Sequence, residues 1–108
     1  MLSVRESKDE IDATKLIEDG TFHILVPRFI IQMTEPDRVE ILKWHIKEGD
    51  IVEPGMPMVT VEFLQDDWYL PVPPLNVLLR VVSIKASVGR VVHLYDLLTI
   101  LAPVQEVD

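Results

Sequence analysis

From Thr21 onward, apolar and polar residues alternate in short runs with the period of two expected of half-buried strands. The runs are Phe22 to Val26, Phe29 to Met33, Val39 to Ile46, Met58 to Leu64, Trp68 to Val72, Val77 to Ile84, Val91-Val92 and Leu97 to Leu101. Turn residues stand between them: Pro27, Gly49-Asp50, Pro54-Gly55 and the polar stretch Gln65-Asp66-Asp67. Pro71, Pro73 and Pro74 cannot donate to a ladder, so they mark an edge or a corner. Within the longest run, alternation sets Val39, Ile41 and Lys43 on one face and Glu40, Leu42 and Trp44 on the other. Short strands at intervals of about ten residues predict an all-β sandwich or barrel.

Residues 1–20 follow a different pattern. Arg5, Lys8 and Lys15 stand against Glu6, Asp9, Glu10, Asp12, Glu18 and Asp19. Ser7 and Glu10 have capping-box spacing, and Gly20 is a plausible helix stop. Only Ile11, Leu16 and Ile17 are placed to form an apolar stripe, too little for a stable isolated helix. The expectation is an acidic arm over 1–20, helical or disordered, then a β domain over 21–103 and a tail over 104–108.

The strand region repeats itself. The segment Gly49-Asp50-Ile51-Val52 through Met58 and Val61 returns forty residues later as Gly89-Arg90-Val91-Val92 through Leu98 and Leu101. Each copy has a glycine turn, an inward valine, a second turn and an apolar strand. Two such units predict halves related by a pseudo-twofold axis, each covering the other's apolar face.

Composition narrows the function. With 108 residues and 48% hydrophobic content, the chain supports one ordinary core. It has no cysteine, which removes disulfides, thiolate metal sites and a thiol nucleophile. Ten basic residues against eighteen acidic ones give a net charge of −8, which argues against nucleic acid as a partner. The longest uncharged stretch, Trp68 to Leu79, is broken by three prolines and cannot span a membrane. The N-terminus turns acidic at once, so a cytoplasmic or organelle-matrix location is expected. His23, His45 and His93 have no ligand spacing, Asp66-Asp67 lacks the further oxygens of a calcium loop, and no nucleophile elbow or phosphate loop occurs. A non-enzyme without metal or cofactor is expected.

Several of these residues carry a resemblance. Trp44-His45-Ile46-Lys47-Glu48-Gly49-Asp50-Ile51-Val52-Glu53-Pro54-Gly55 resembles the Trp-x-x-x-Glu-Gly-Asp-x-Val-x-x-Gly stretch of lipoyl and biotinyl carrier domains. Val61-Glu62 resembles the pair leading into that family's modification hairpin, and Pro71-Val72-Pro73 the Pro-Ala-Pro after it. The likeness runs from about Phe22 to Leu101. It implies a barrel-sandwich hybrid, a flattened barrel of two pseudo-twofold-related halves. Asn76 and Tyr95 stand where the family has glycine, and the loop near Lys85-Ala86-Ser87 is expected to be longer than the family's.

In the family, the lysine that carries lipoate or biotin lies three residues after the glutamate and six before the first proline. Glu62 and Pro71 keep that spacing, but the position between them is Gln65. Lys8, Lys15, Lys43, Lys47 and Lys85 all lie elsewhere. A glutamine amide is not nucleophilic and cannot accept an activated acyl group. The resemblance therefore implies a carrier-like binding or regulatory module with no prosthetic group. Its expected docking surface is Leu64, Gln65, Asp66, Asp67 and Trp68, flanked by Phe63 and Tyr69. By resemblance, the protein partner belongs to a 2-oxo acid dehydrogenase or a biotin-dependent carboxylase complex. The rival expectation is a true lipoyl or biotin carrier subunit modified at another lysine. A fragment of a membrane-fusion adaptor fits less well, because its halves are separated by long helical hairpins.

Overall fold

The structure, a computed structural model, describes residues 13–27, 38–63, 65–93 and 95–104. These form nine strands: β1 (Thr14–Leu16), β2 (Phe22–Leu25), β3 (Val39–Trp44), β4 (Ile51–Val52), β5 (Pro57–Phe63), β6 (Asp66–Pro71), β7 (Leu79–Ile84), β8 (Val91–Val92) and β9 (Leu97–Pro103). They make two antiparallel sheets, ordered β1-β2-β9-β7-β4 and β6-β5-β3-β8. The all-β expectation is met. The predicted strand Phe29 to Met33 lies outside the described residues, as do the first twelve residues of the arm.

Leaving out β1, the sheets correspond strand for strand: β2 to β6, β9 to β5, β7 to β3 and β4 to β8. The forty-residue repeat relates β3, β4 and β5 to β7, β8 and β9. Each small strand is exchanged into the other half, so β4 pairs with β7 and β8 pairs with β3. Val52 lies opposite Leu79, and its counterpart Val92 lies opposite Val39. The bonds entering these pairs match as well. Gly49 N–H donates to the Val81 carbonyl at 2.8 Å, and Gly89 N–H donates to the Ile41 carbonyl at 2.7 Å. Both glycines have a positive φ (94° and 89°), the left-handed conformation these turns need and side-chain-bearing residues resist.

One core fills the space between the sheets. Val52 and Val92, Met58 and Leu98, and Val61 and Leu101 are all fully buried, as the repeat predicts. Trp44 lies against this core and sends its indole N–H 2.7 Å to the Ala86 carbonyl, tying one half to the other. Thr99 is the one buried polar residue among those described, and its hydroxyl donates to the Ser83 carbonyl at 2.6 Å. Asp50 closes its own turn by accepting the Lys47 N–H at 3.0 Å.

Two expectations need correction. The helix expected in the arm is not formed over residues 14–16, which instead pair with Phe22 to Ile24 as an edge strand. A turn follows, in which the Thr21 hydroxyl and N–H both donate to Asp19, and these bonds hold its carboxyl below the usual aspartate range. The local helix signals lose because strand pairing gives the backbone partners along the whole segment. Second, strict alternation fails in β3. The register shifts between Ile41 and Lys43, which turns Lys43 out to solvent and Trp44 toward the core. The same shift recurs between Val81 and Ser83. The turn containing Lys85-Ala86-Ser87 matches its counterpart after Trp44, since Lys85 N–H donates to the Leu98 carbonyl just as His45 N–H donates to the Met58 carbonyl.

Because Val52 and Val92 occupy equivalent buried positions, Val52→Ala and Val92→Ala should each cost about 2 kcal/mol in urea unfolding. A silent Val92→Ala would mean the halves are energetically unlike. A Cβ placed on Gly89 meets nothing within 4 Å, so Gly89→Ala isolates backbone strain. It should cost about 1–2 kcal/mol, and Gly89→Asn should cost less.

Candidate functional site

The β5–β6 hairpin presents the predicted surface. Phe63 and Asp66 pair directly, so only residues 64 and 65 connect the strands. Tight two-residue connections require positive φ, and Gln65 has a φ of 68° with its side chain exposed. The tip is therefore a short turn, with Gln65 exposed to solvent. Leu64, the other residue of the tip, lies outside the described residues. Asp66 and Asp67, expected in the turn, instead begin β6, and both are exposed.

Gln65, Asp66, Asp67 and Trp68 are thus consecutive and exposed along one hairpin arm. Strand alternation separates their faces. Phe63 and Leu70 are buried, and Trp68 shares their inner side at the rim of the core, opposite Val61. Tyr69 stands on the outer side opposite Thr60 and is 58% exposed. Flanking aromatics are therefore divided: Phe63 caps the core, while Tyr69 faces solvent and Trp68 lies between these extremes.

Position 65 is not the only substitution for glycine-like geometry. Asn76 and Tyr95 also have positive φ, at 61° and 68°. Tyr95 occupies the repeat position of Gly55, and each donates its N–H to a corresponding carbonyl, Val26 for Tyr95 and Val72 for Gly55. The backbone thus keeps its path in both halves despite the side chains.

The register also reveals a feature hidden in the linear sequence. Glu40 lies directly opposite Glu62, and Glu62 directly opposite Asp67. Three carboxylates therefore form a row across β3, β5 and β6 on the outer face, and no ion pair ties them to a described basic residue. Beside the row lies an open groove of about 160 Å³ lined by Arg38, Val39, Glu40, Glu62, Gln65 and Val91. Alternation shows each residue's face but not which residues meet across strands, so no sequence signal could have found this row.

The histidines remain apart. His45 Nε2 lies 2.7 Å from the Thr60 hydroxyl, and His93 Nδ1 lies 3.7 Å from the Asp96 carboxylate on the surface. Among the described residues no cluster of His, Cys, Asp or Glu could hold a metal ion, and no helix is long and apolar enough to cross a membrane. Compared with protein-family models and with curated proteins, the chain matches none.

Like charges directly opposite one another destabilise a sheet. Glu62→Gln removes the middle member of the row and should raise stability by about 0.2–1 kcal/mol in thermal unfolding. The gain should shrink at high salt, where exposed charges are screened. Asp66, paired only with Phe63 at the strand end, should change stability by less than about 0.5 kcal/mol when replaced by alanine.

Proposed function

We propose that this chain is an unmodified member of the lipoyl and biotinyl carrier-like domains, a non-enzymatic module that docks on a protein partner through its β5–β6 hairpin. The observation that carries the reading is the hairpin tip. A two-residue turn holds position 65 outward on a positive φ, and a glutamine stands there. Presenting one side chain far from the core is what a swinging-arm carrier requires. An amide at that point offers no nucleophile for acylation.

The interlocked halves support the barrel-sandwich hybrid as the architecture behind this hairpin. The reciprocal pairing of β4 with β7 and of β8 with β3, around one shared core, is the feature on which that assignment rests. The described lysines argue against the rival carrier reading. Lys15 and Lys43 lie within strands, Lys47 sits in a turn closed by Asp50, and Lys85 begins the equivalent turn. None is presented at a hairpin tip.

By the same resemblance, the partner is a component of a 2-oxo acid dehydrogenase or biotin-dependent carboxylase complex. An unmodifiable copy there occupies a carrier's docking place without carrying an acyl or carboxyl group, and so regulates or scaffolds the assembly. The test is chemical. Co-expressed with lipoate and biotin ligases, the wild-type chain should keep its unmodified intact mass, while Gln65→Lys should gain an adduct. An adduct on the wild-type chain would overturn the reading. So would a folded Gln65→Lys protein that stays unmodified by both ligases.

A further inference from the structure

The correspondence of the two sheets makes β2 and β6 equivalent strands, but among the described residues only β2 has a further strand on its outer edge. Phe22, His23, Ile24 and Leu25 pair with Leu101, Ile100, Thr99 and Leu97. Trp68, Tyr69, Leu70 and Pro71 pair in the same way with Val61, Thr60, Val59 and Pro57, and both ladders shift register at the same step. Position by position, therefore, His23 corresponds to Tyr69 and Leu25 to Pro71. On the outer edge of β2 lies β1, antiparallel, with Lys15 opposite His23. The outer edge of β6 has no strand on it among the described residues, because β6 ends its sheet.

Hydrogen bonds at the covered edge show which groups the open edge offers. Leu25 N–H points outward to the Ala13 carbonyl at 2.8 Å, and the Thr21 carbonyl accepts Ile17 N–H at 2.8 Å. Their counterparts on β6 are Pro71, which has no N–H, and Asp67. Between them, alternation turns the N–H and carbonyl of Tyr69 outward. Pro71 ends the available ladder, so an added strand is short and centred on Tyr69. Proline and charge are also how edge strands avoid indiscriminate pairing. The edge is therefore selective about what it accepts.

The charge row says what it accepts. Glu40, Glu62 and Asp67 lie opposite one another across three strands, and the row reaches the open edge at Asp67. A residue added opposite Asp67 becomes the next member of that row, with its Cβ about 5 Å from that of Asp67. A lysine or arginine there relieves the repulsion, whereas a second copy of β6 would add more aspartates to it. We propose that the outer edge of β6 binds an extended, lysine- or arginine-bearing segment of a partner protein by strand addition, in the manner of β1 on β2. This rests on the reading of the hairpin as a docking element and names the partner's chemistry.

The probe is a short capped peptide of alternating lysine and valine, titrated into the full chain at low salt and followed by backbone amide resonances. The expected result is a saturable shift confined to residues 66–70 that is lost when the peptide's valines are N-methylated. It should also be lost in Tyr69→Pro, which removes an outward N–H without touching the ladder to β5, and should weaken in Asp67→Lys. The N-methylated peptide decides the matter even where Tyr69→Pro fails to fold. A glycine–lysine peptide of equal charge that shifts the hairpin equally would overturn strand addition while leaving the hairpin a charged docking element. Shifts at β4 or β8 instead, or no shift in the hairpin with any peptide, would also overturn the proposal. The mass of the Gln65→Lys protein tests the unmodified-carrier reading separately.

Discussion

The fold depends on a reciprocal exchange at its two glycine turns. Gly49 hands β4 to the sheet built on β7, and Gly89 hands β8 to the sheet built on β3, through hydrogen bonds donated by their N–H groups at 2.8 and 2.7 Å. Neither half has a complete sheet of its own. Each two-residue strand is too short to persist alone, and it is held because its valine is buried in the common core and its backbone is paired with the opposite half. The long strands β5 and β9 then close over this seam, and the hairpin that carries position 65 is an extension of β5. The base of that hairpin is anchored in the common core through Val59, Val61 and Phe63.

The halves differ where the chain has been adapted. Glu48 accepts the Ile84 N–H at 3.0 Å, a bond that Val88, its counterpart, cannot reproduce. Trp44 reaches Ala86 across the seam, while its counterpart Ile84 has no polar atom to send back. The largest difference lies at the outer edges. One is covered by β1, whose Lys15 and Leu16 are exposed and whose Ala13 is buried beside it, and the other ends at β6 with its acidic start and its aromatics. One core serves both halves, and among the described residues the two outer edges are unequal.

Much of the fold was legible because the repeat is dense in residues with positional meaning. Glycine at 49 and 89 marks the turns, valine at 52 and 92 marks the inward position, and Met58 with Leu98 marks the core strand. Two features were not legible, for physical reasons. A bulge changes the face of every later residue in a strand and has no fixed sequence sign, so alternation alone puts Lys43 and Trp44 on the wrong sides. The arm's polar composition favours a cap and a helix locally, whereas residues 14–16 gain more from pairing with β2. At the site, the glutamine at 65 was readable from spacing alone. The carboxylate row was not, because it exists only once three strands are in register.

Amide hydrogen exchange tests the shared seam most directly, because the seam positions the hairpin. The account predicts that the amides of Gly49 and Gly89, and those of Val81 and Ile41 that pair around them, exchange slowly and with matching protection close to that of global unfolding. Strong protection at Gly49 with rapid exchange at Gly89 would contradict it, since the second half would then open without the first.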